Sequence, residues 1–127
     1  MALTNAGRNF IAAAIMNDST PTFFDNTNSY LGVGDGTTAF NATQTDLIAG
    51  TNKLRDAMEA TYPSLSTNVI TFRSLYSTAQ ANFDWEEWGV FNASSSGTML
   101  CRKVETLGTK TSAQSWQLTA TITVTAA

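Results

Sequence analysis

A chain of 127 residues with a net charge of −3 is long enough for one hydrophobic core and is read as one domain, 1–127. Only 13% of its residues are charged, about half of the usual ~25%, and no basic block exists, so nucleic acid has no electrostatic footprint to meet. No apolar run approaches the ~18 residues of a membrane span, and the absence of histidine removes serine–histidine and cysteine–histidine catalysis together with the commonest neutral metal ligand.

Leu3, Gly7, Phe10, Ile11, Ala14 and Ile15 recur at helical spacing, which predicts an amphipathic helix over Leu3 to Met16. Thr4 or Asn5 supplies its cap. Gly7 lowers helix propensity by about 1 kcal/mol against alanine, and its place on the apolar stripe points to close packing against a sheet or a neighbouring subunit. Pro21 stands beyond the helix end. The apolar run Phe10 to Met16 is short and follows Asn and Gly, so the N-terminus reads as mature structure made in a cytoplasm and not as a signal peptide.

Tyr30 to Val33 reads as a short strand, followed by a sharp turn at Gly34-Asp35-Gly36, where both glycines accept positive φ. The string GVGDG has neither the G-x-G-x-x-G nor the Walker spacing and lacks the lysine, so it is read as a plain turn. Thr43 to Ile48 reads as a capped helical turn, with Thr43 or Thr45 as the cap. Leu54 and Met58 in Lys53 to Tyr62 also fit a helix, but a strand is favoured ahead of Pro63, and Asn68 to Thr78 is a clearer strand, with Ile70, Phe72 and Tyr76 on one face.

Phe83 to Val104 reads as a β-hairpin around the loop Asn92 to Gly97. Pairing Phe91 with Thr98 sets Val90 opposite Met99, Trp88 opposite Cys101, Glu87 opposite Arg102 and Glu86 opposite Lys103. Apolar residues then meet apolar ones, and acids meet bases as exposed cross-strand ion pairs. Cys101, the only cysteine, is read as a buried structural thiol, since no base is near it and a single thiol builds neither a disulfide nor a zinc site. Asp84 and Glu86, two apart on a strand, lie about 7 Å apart on one face. That spacing is within the range of an inverting glycosidase, against which stands the reading of ordinary surface carboxylates. Trp85 is the candidate glycan platform, set against the commoner role of strand tryptophans as core.

The last strand carries the cleanest period-2 signal. Trp116, Leu118, Ala120, Ile122 and Val124 alternate with Gln117, Thr119, Thr121, Thr123 and Thr125. Together these elements predict a mainly β fold, an antiparallel β-sandwich of about six strands with an N-terminal helix against it.

The blocks LTNAGRNFIAAAI, YLGVGDGTTAFNATQTDL and WGVFNASSSGTML, with Arg102 and the Thr-rich Leu118 to Thr125 after them, resemble a group of small virion structural proteins of tailed bacteriophages. The opening is also similar, more weakly, to tail-collar fibre proteins. Asp35 in the turn and Trp88 before Gly89 depart from the group's pattern. The resemblance implies a non-enzymatic virion component, made in the host bacterial cytoplasm, that needs no cofactor or metal. It would self-associate, with a trimer as the expected number, and dock on capsid or tail proteins. Capsid decoration is the favoured placement; the alternative is a tail or baseplate appendage, including a carbohydrate-binding host-recognition module. The expected interface comprises Leu3 and Phe10 on the helix, Asp35, Thr37 and Phe40 on the loop after the turn, and Asn92 and Ser95 at the hairpin tip.

Overall fold

A computed structural model describes residues 2–126. The chain runs β1 (Ala2–Leu3), α1 (Asn5–Met16), β2 (Tyr30–Gly34), β3 (Lys53–Ala57), β4 (Ser64–Ser66), β5 (Val69–Tyr76), β6 (Asp84–Phe91), β7 (Met99–Thr109) and β8 (Trp116–Thr123). All pairings are antiparallel. They form a five-stranded sheet in the order β1-β7-β6-β2-β3 and a three-stranded sheet in the order β4-β5-β8. The fold is the expected mainly-β sandwich with one N-terminal helix. β1 and β4 are the strands beyond the expected six, and at two and three residues they are too short for an alternation signal. Among the described residues, no helix is long and apolar enough to cross a membrane.

The core lies between the sheets. Leu31, Val33, Trp85, Trp88 and Val90 from the larger sheet meet Phe72, Tyr76 and Ala120 from the smaller one. Trp85 stands edge-on between Tyr76 and Trp116, at ring separations of 4.8 and 5.0 Å, and its indole N–H donates to Ala81 O. Edge-to-face packing with a satisfied N–H is how a large amphipathic ring is buried without loss. A second cluster, Leu47, Phe91 and Met99 with Tyr30 beside it, holds the long β2–β3 connection onto the other face of the larger sheet.

The helix differs from expectation at its start and in its packing. Leu3 is not helical: it pairs with Cys101 on β1. Thr4 is the cap, its Oγ1 accepting from Gly7 N at 2.8 Å and donating to Met99 O, so one hydroxyl both starts the helix and fastens it to β7. Gly7 is the one buried residue of α1. A Cβ there would lie 2.2 Å from Leu100 O, so glycine is what lets the helix backbone rest on the strand. Beyond that contact the stripe divides: Phe10 and Ala14 are half-buried, and the rest turns outward. Ile11 is 41% exposed, and Ile15 and Met16 are each 81% exposed.

Thr43 to Ile48 holds no helical turn. Asn41 organises that stretch instead, its Oδ1 accepting from Thr43 N at 2.9 Å, because an Asn side chain bonding two residues ahead competes with helix. The strand expected over Lys53 to Tyr62 ends at Ala57.

The hairpin exists, but its register is displaced. Phe91 pairs with Met99, Val90 with Cys101, Gly89 with Arg102, Trp88 with Lys103 and Glu87 with Val104. The displacement starts at the loop, where Phe91 meets Met99 and not Thr98, and a bulge between Val90 and Phe91 adds Leu100 as an extra residue. The two shifts together move the later pairs by two positions, so Glu87 and Arg102 keep a common face, whereas Met99 joins Phe91 on the outer face. The expected Glu86–Lys103 pair is absent. Glu86 accepts from Thr106 Oγ1 at 2.6 Å, and Lys103 pairs with Glu105 at 2.6 Å.

Candidate functional site

The most constrained part of the molecule is a buried ion pair under the β2–β3 connection. Glu87 on β6 and Arg102 on β7 are both 0% exposed at the side chain, and Arg102 Nε lies 2.7 Å from Glu87 Oε1. They are diagonal neighbours on the outer face of the larger sheet, each offset from its direct partner. The carboxylate also accepts three backbone N–H groups: Gly36 at 3.0 Å, Ile48 at 2.9 Å and Ala49 at 2.8 Å. The guanidinium continues to Gln44 Oε1 at 3.0 Å and Thr38 O at 2.9 Å. A buried charge pair persists only when its remaining lone pairs and protons are satisfied, and here the loop satisfies them. The pair therefore draws residues 36–49 onto the sheet.

This contact explains the two glycines, although no sharp turn forms at them: Gly34 ends β2 and residues 35–40 continue without a turn. Gly34 and Gly36 do not have positive φ, contrary to the reason expected for them. A Cβ on Gly36 would lie 2.3 Å from Glu87 Oε2, and one on Gly34 2.7 Å from it. The glycines are there to let the backbone reach the carboxylate. Asp35 between them accepts from Asn52 Nδ2 at 2.9 Å and donates its N–H to Asn52 O at 3.1 Å, which ties the two ends of the connection together.

The hairpin tip is equally fixed. Arg55 on β3 lies 3.6 Å over the Phe91 ring, and its Nη1 donates to Ala93 O and Ser96 O, both at 2.9 Å. Asp46 accepts from Lys53 at 2.9 Å and Arg55 at 3.2 Å. Burial pushes its carboxyl upward, but hydrogen bonds from Lys53, Leu47 N and Arg55 outweigh burial and hold it below the usual value. Gly97 takes φ +65° to close the loop, a conformation that glycine adopts without a Cβ penalty.

The expected interface residues fall in separate places. Leu3 and Phe10 come together at an apolar cleft of about 540 Å³, which Ile11, Ile122 and Val124 also line. Phe10 stands edge-on to Phe24 at 4.9 Å and borders a more polar groove of about 860 Å³ between α1 and the hairpin tip. Thr37 is exposed and Phe40 half-buried on the β2–β3 connection, and Ser95 is exposed at the tip.

Asn92 is not a surface contact. It is buried, donating from Nδ2 to Thr22 O at 2.9 Å and accepting from Thr98 N at 2.8 Å. It is the staple that holds the tip to the segment after α1. Trp85 is not a glycan platform either: it is 2% exposed, and its ring faces are covered by core aromatics.

The residues with chemical potential are engaged in structure. Asp84 accepts from Thr109 Oγ1 at 2.5 Å, and Glu86 from Thr106. Cys101 is buried, and burial, opposed by a hydrogen bond from the Val90 backbone, pushes its thiol up to about 12. A thiol held protonated is a poor nucleophile. Lys110, unremarked in the sequence, is buried and donates to Ser77 O and Asn82 Oδ1, each at 2.7 Å. What the sequence did signal was that Glu87 and Arg102 belong together across the hairpin, although they meet as diagonal neighbours and not as the expected direct pair. Their burial had no signal, because the cover comes from a loop between 38 and 64 residues earlier in the chain.

Comparison with known proteins finds no family model that matches the chain and no significant match among curated proteins.

Proposed function

We propose that this chain is a non-enzymatic structural protein of a tailed-bacteriophage virion that self-associates and docks on the particle surface, with capsid decoration as its place. One observation carries the docking part of this reading: α1 presents Ile11, Ile15 and Met16 to solvent from a helix whose own position is fixed. A helix fastened by its cap and by Gly7, yet with these three apolar residues outward, has the form of a preorganised contact surface. Contiguous exposed apolar surface of this kind marks protein–protein contact. Preorganisation matters because ordering costs oppose binding. Low surface charge supports the same reading, since desolvating Thr, Asn and Ser costs less than desolvating unpaired charges. Many copies on a repeating lattice would then hold a shell through avidity. The placement on a virion rests on the resemblance of the opening, turn, hairpin and final-strand blocks.

The test is binding of the purified chain to particles that lack it. The wild-type chain is expected to bind to saturation, and Ile15→Asp with Met16→Asp to lose binding while keeping its thermal transition. Failure of the wild-type chain to bind would overturn the proposal.

A further inference from the structure

The smaller sheet ends on β8, and no strand among the described residues pairs with its far side. The hydrogen-bonding parity of that strand can be read from its end. Val124 N donates to Asn68 O at 2.9 Å, on the ladder that continues through Ile70–Ile122 and Phe72–Ala120. Hydrogen-bonded pairs alternate along an antiparallel ladder. Trp116, Leu118, Ala120 and Ile122 therefore turn their N–H and C=O groups to β5, and Gln117, Thr119, Thr121 and Thr123 turn theirs to the open side.

Open edges are normally blunted by charge, proline, a bulge or a covering segment. β8 has none of the first three. No charged residue and no proline occurs from Thr111 onward, and the β5–β8 ladder runs without a register shift. An unpaired row of backbone donors and acceptors is completed by another strand.

The sequence of β8 is complementary to itself. Laid antiparallel about a two-fold at Ala120, Gln117 meets Thr123 and Thr119 meets Thr121, and these are the residues whose N–H and C=O groups are free. On the other face Leu118 meets Ile122 and Ala120 meets its own counterpart. Thr–Thr and aliphatic cross-strand pairs are favourable. A one-residue slip would set free groups against groups already bonded to β5, so the pairing tolerates only even displacements. Charge selects the same occupant. Two copies of a chain of net charge −3 repel wherever their acidic surfaces meet, and this edge brings no charged side chain of its own. The same pairing sets the second copy's Trp116 beside Val124, which is 65% exposed in the single chain and lines the apolar cleft with Ile122.

We infer that two copies of this chain join by antiparallel pairing of β8 with β8, which makes one continuous sheet across both. The inference deepens the self-association in the reading above and rests on that part of it alone. A two-fold contact of this type is isologous and closes at two copies, so it replaces the trimer as the unit of assembly.

The experiment is sedimentation equilibrium together with residue-resolved amide exchange on the purified chain. The wild type is expected to sediment as a dimer, with the amides of Thr119 and Thr121 as protected as those of Ala120 and Ile122. Thr119→Lys with Thr121→Lys, both exposed outer-face positions, sets like charges opposite each other. That variant is expected to sediment as a monomer with an unchanged circular dichroism spectrum. Its Thr→Lys positions and Gln117 and Thr123 should exchange about 100-fold faster while Ala120 and Ile122 stay protected. Mixing it with Thr119→Glu, Thr121→Glu is expected to restore the dimer. A wild-type monomer at roughly 1 mM, an oligomer in which the odd-numbered β8 amides exchange freely, or a dimer that survives the lysine substitutions would overturn the proposal. Particle binding is measured separately, so a dimer that does not dock would count against the virion reading and not against this one.

Discussion

Arg102 Nε and Glu87 Oε1 stand 2.7 Å apart with both side chains closed off from solvent, and the β2–β3 connection is folded over them by three backbone N–H groups. Removing one member strands the other charge, which for buried pairs costs about 3–5 kcal/mol. Glu87→Ala is expected to lose that much stability in urea denaturation and to expose residues 36–49 to protease. A loss below about 1 kcal/mol would mean that the pair is not what holds the loop.

Gly36 and Gly50 make a controlled comparison. Both belong to the same connection, but a Cβ on Gly36 meets Glu87 Oε2 at 2.3 Å and Ala49 N at 2.7 Å, whereas one on Gly50 meets nothing within 4 Å. Gly36→Ala is expected to destabilise by about 1–3 kcal/mol, as overpacking does. Gly50→Ala is expected to stay within about 1 kcal/mol of wild type, because only chain entropy changes. Equal effects in thermal melts would contradict the steric account.

The sandwich was largely legible from side-chain alternation, and the reason is local. In β8 and β5 every second residue faces the core, so Phe72, Tyr76 and Ala120 declare their burial within a few positions of chain. Three features escaped because each depends on contacts distant in sequence. Leu100 is a bulge residue, and pairing of side-chain types cannot reveal an extra residue that leaves Glu87 and Arg102 on one face. Glu87 and Arg102 were matched correctly by charge but read as exposed, since their cover is supplied by residues 36–49. The apolar stripe of α1 obeys helical periodicity and yet leaves Ile11 and Ile15 exposed past Gly7, because periodicity reports a face and not what that face meets. Asn92 is buried for the same reason, since its partner Thr22 is not a chain neighbour, while Trp85 takes the core role that strand periodicity favours over a glycan platform.

Trp85→Ala should act on folding alone. The indole is sandwiched edge-on by Tyr76 and Trp116, and truncating a buried tryptophan costs about 3–5 kcal/mol. Chemical denaturation is expected to show that loss. A variant that folds with wild-type stability would restore the case for an exposed aromatic platform.

Cys101 gives a pH prediction with a definite sign. Burial raises the folded thiol from 9.0 to about 12, so the folded state holds its proton where the unfolded state has lost it. Stability from this group is complete below pH 9 and falls as pH rises toward 12, by about 1.4 kcal/mol for each unit inside that window. Tyr76, pushed upward mainly by burial, acts in the same direction at higher pH. The difference between wild type and Cys101→Ala isolates the thiol: wild type is expected to lose more stability between pH 8 and 10.5 than the variant. Identical slopes would contradict a buried, protonated thiol. Native protein is also expected to resist thiol reagents at pH 8 and to react on unfolding.

Docking of this chain on a virion surface is tested most directly by imaging intact particles labelled with gold-conjugated antibody raised against it. Capsid decoration predicts label over the whole head, in register with the shell lattice. Label confined to the tail or to one vertex would move the chain to the appendage class, and particles that carry no label at all would contradict a structural role on the virion.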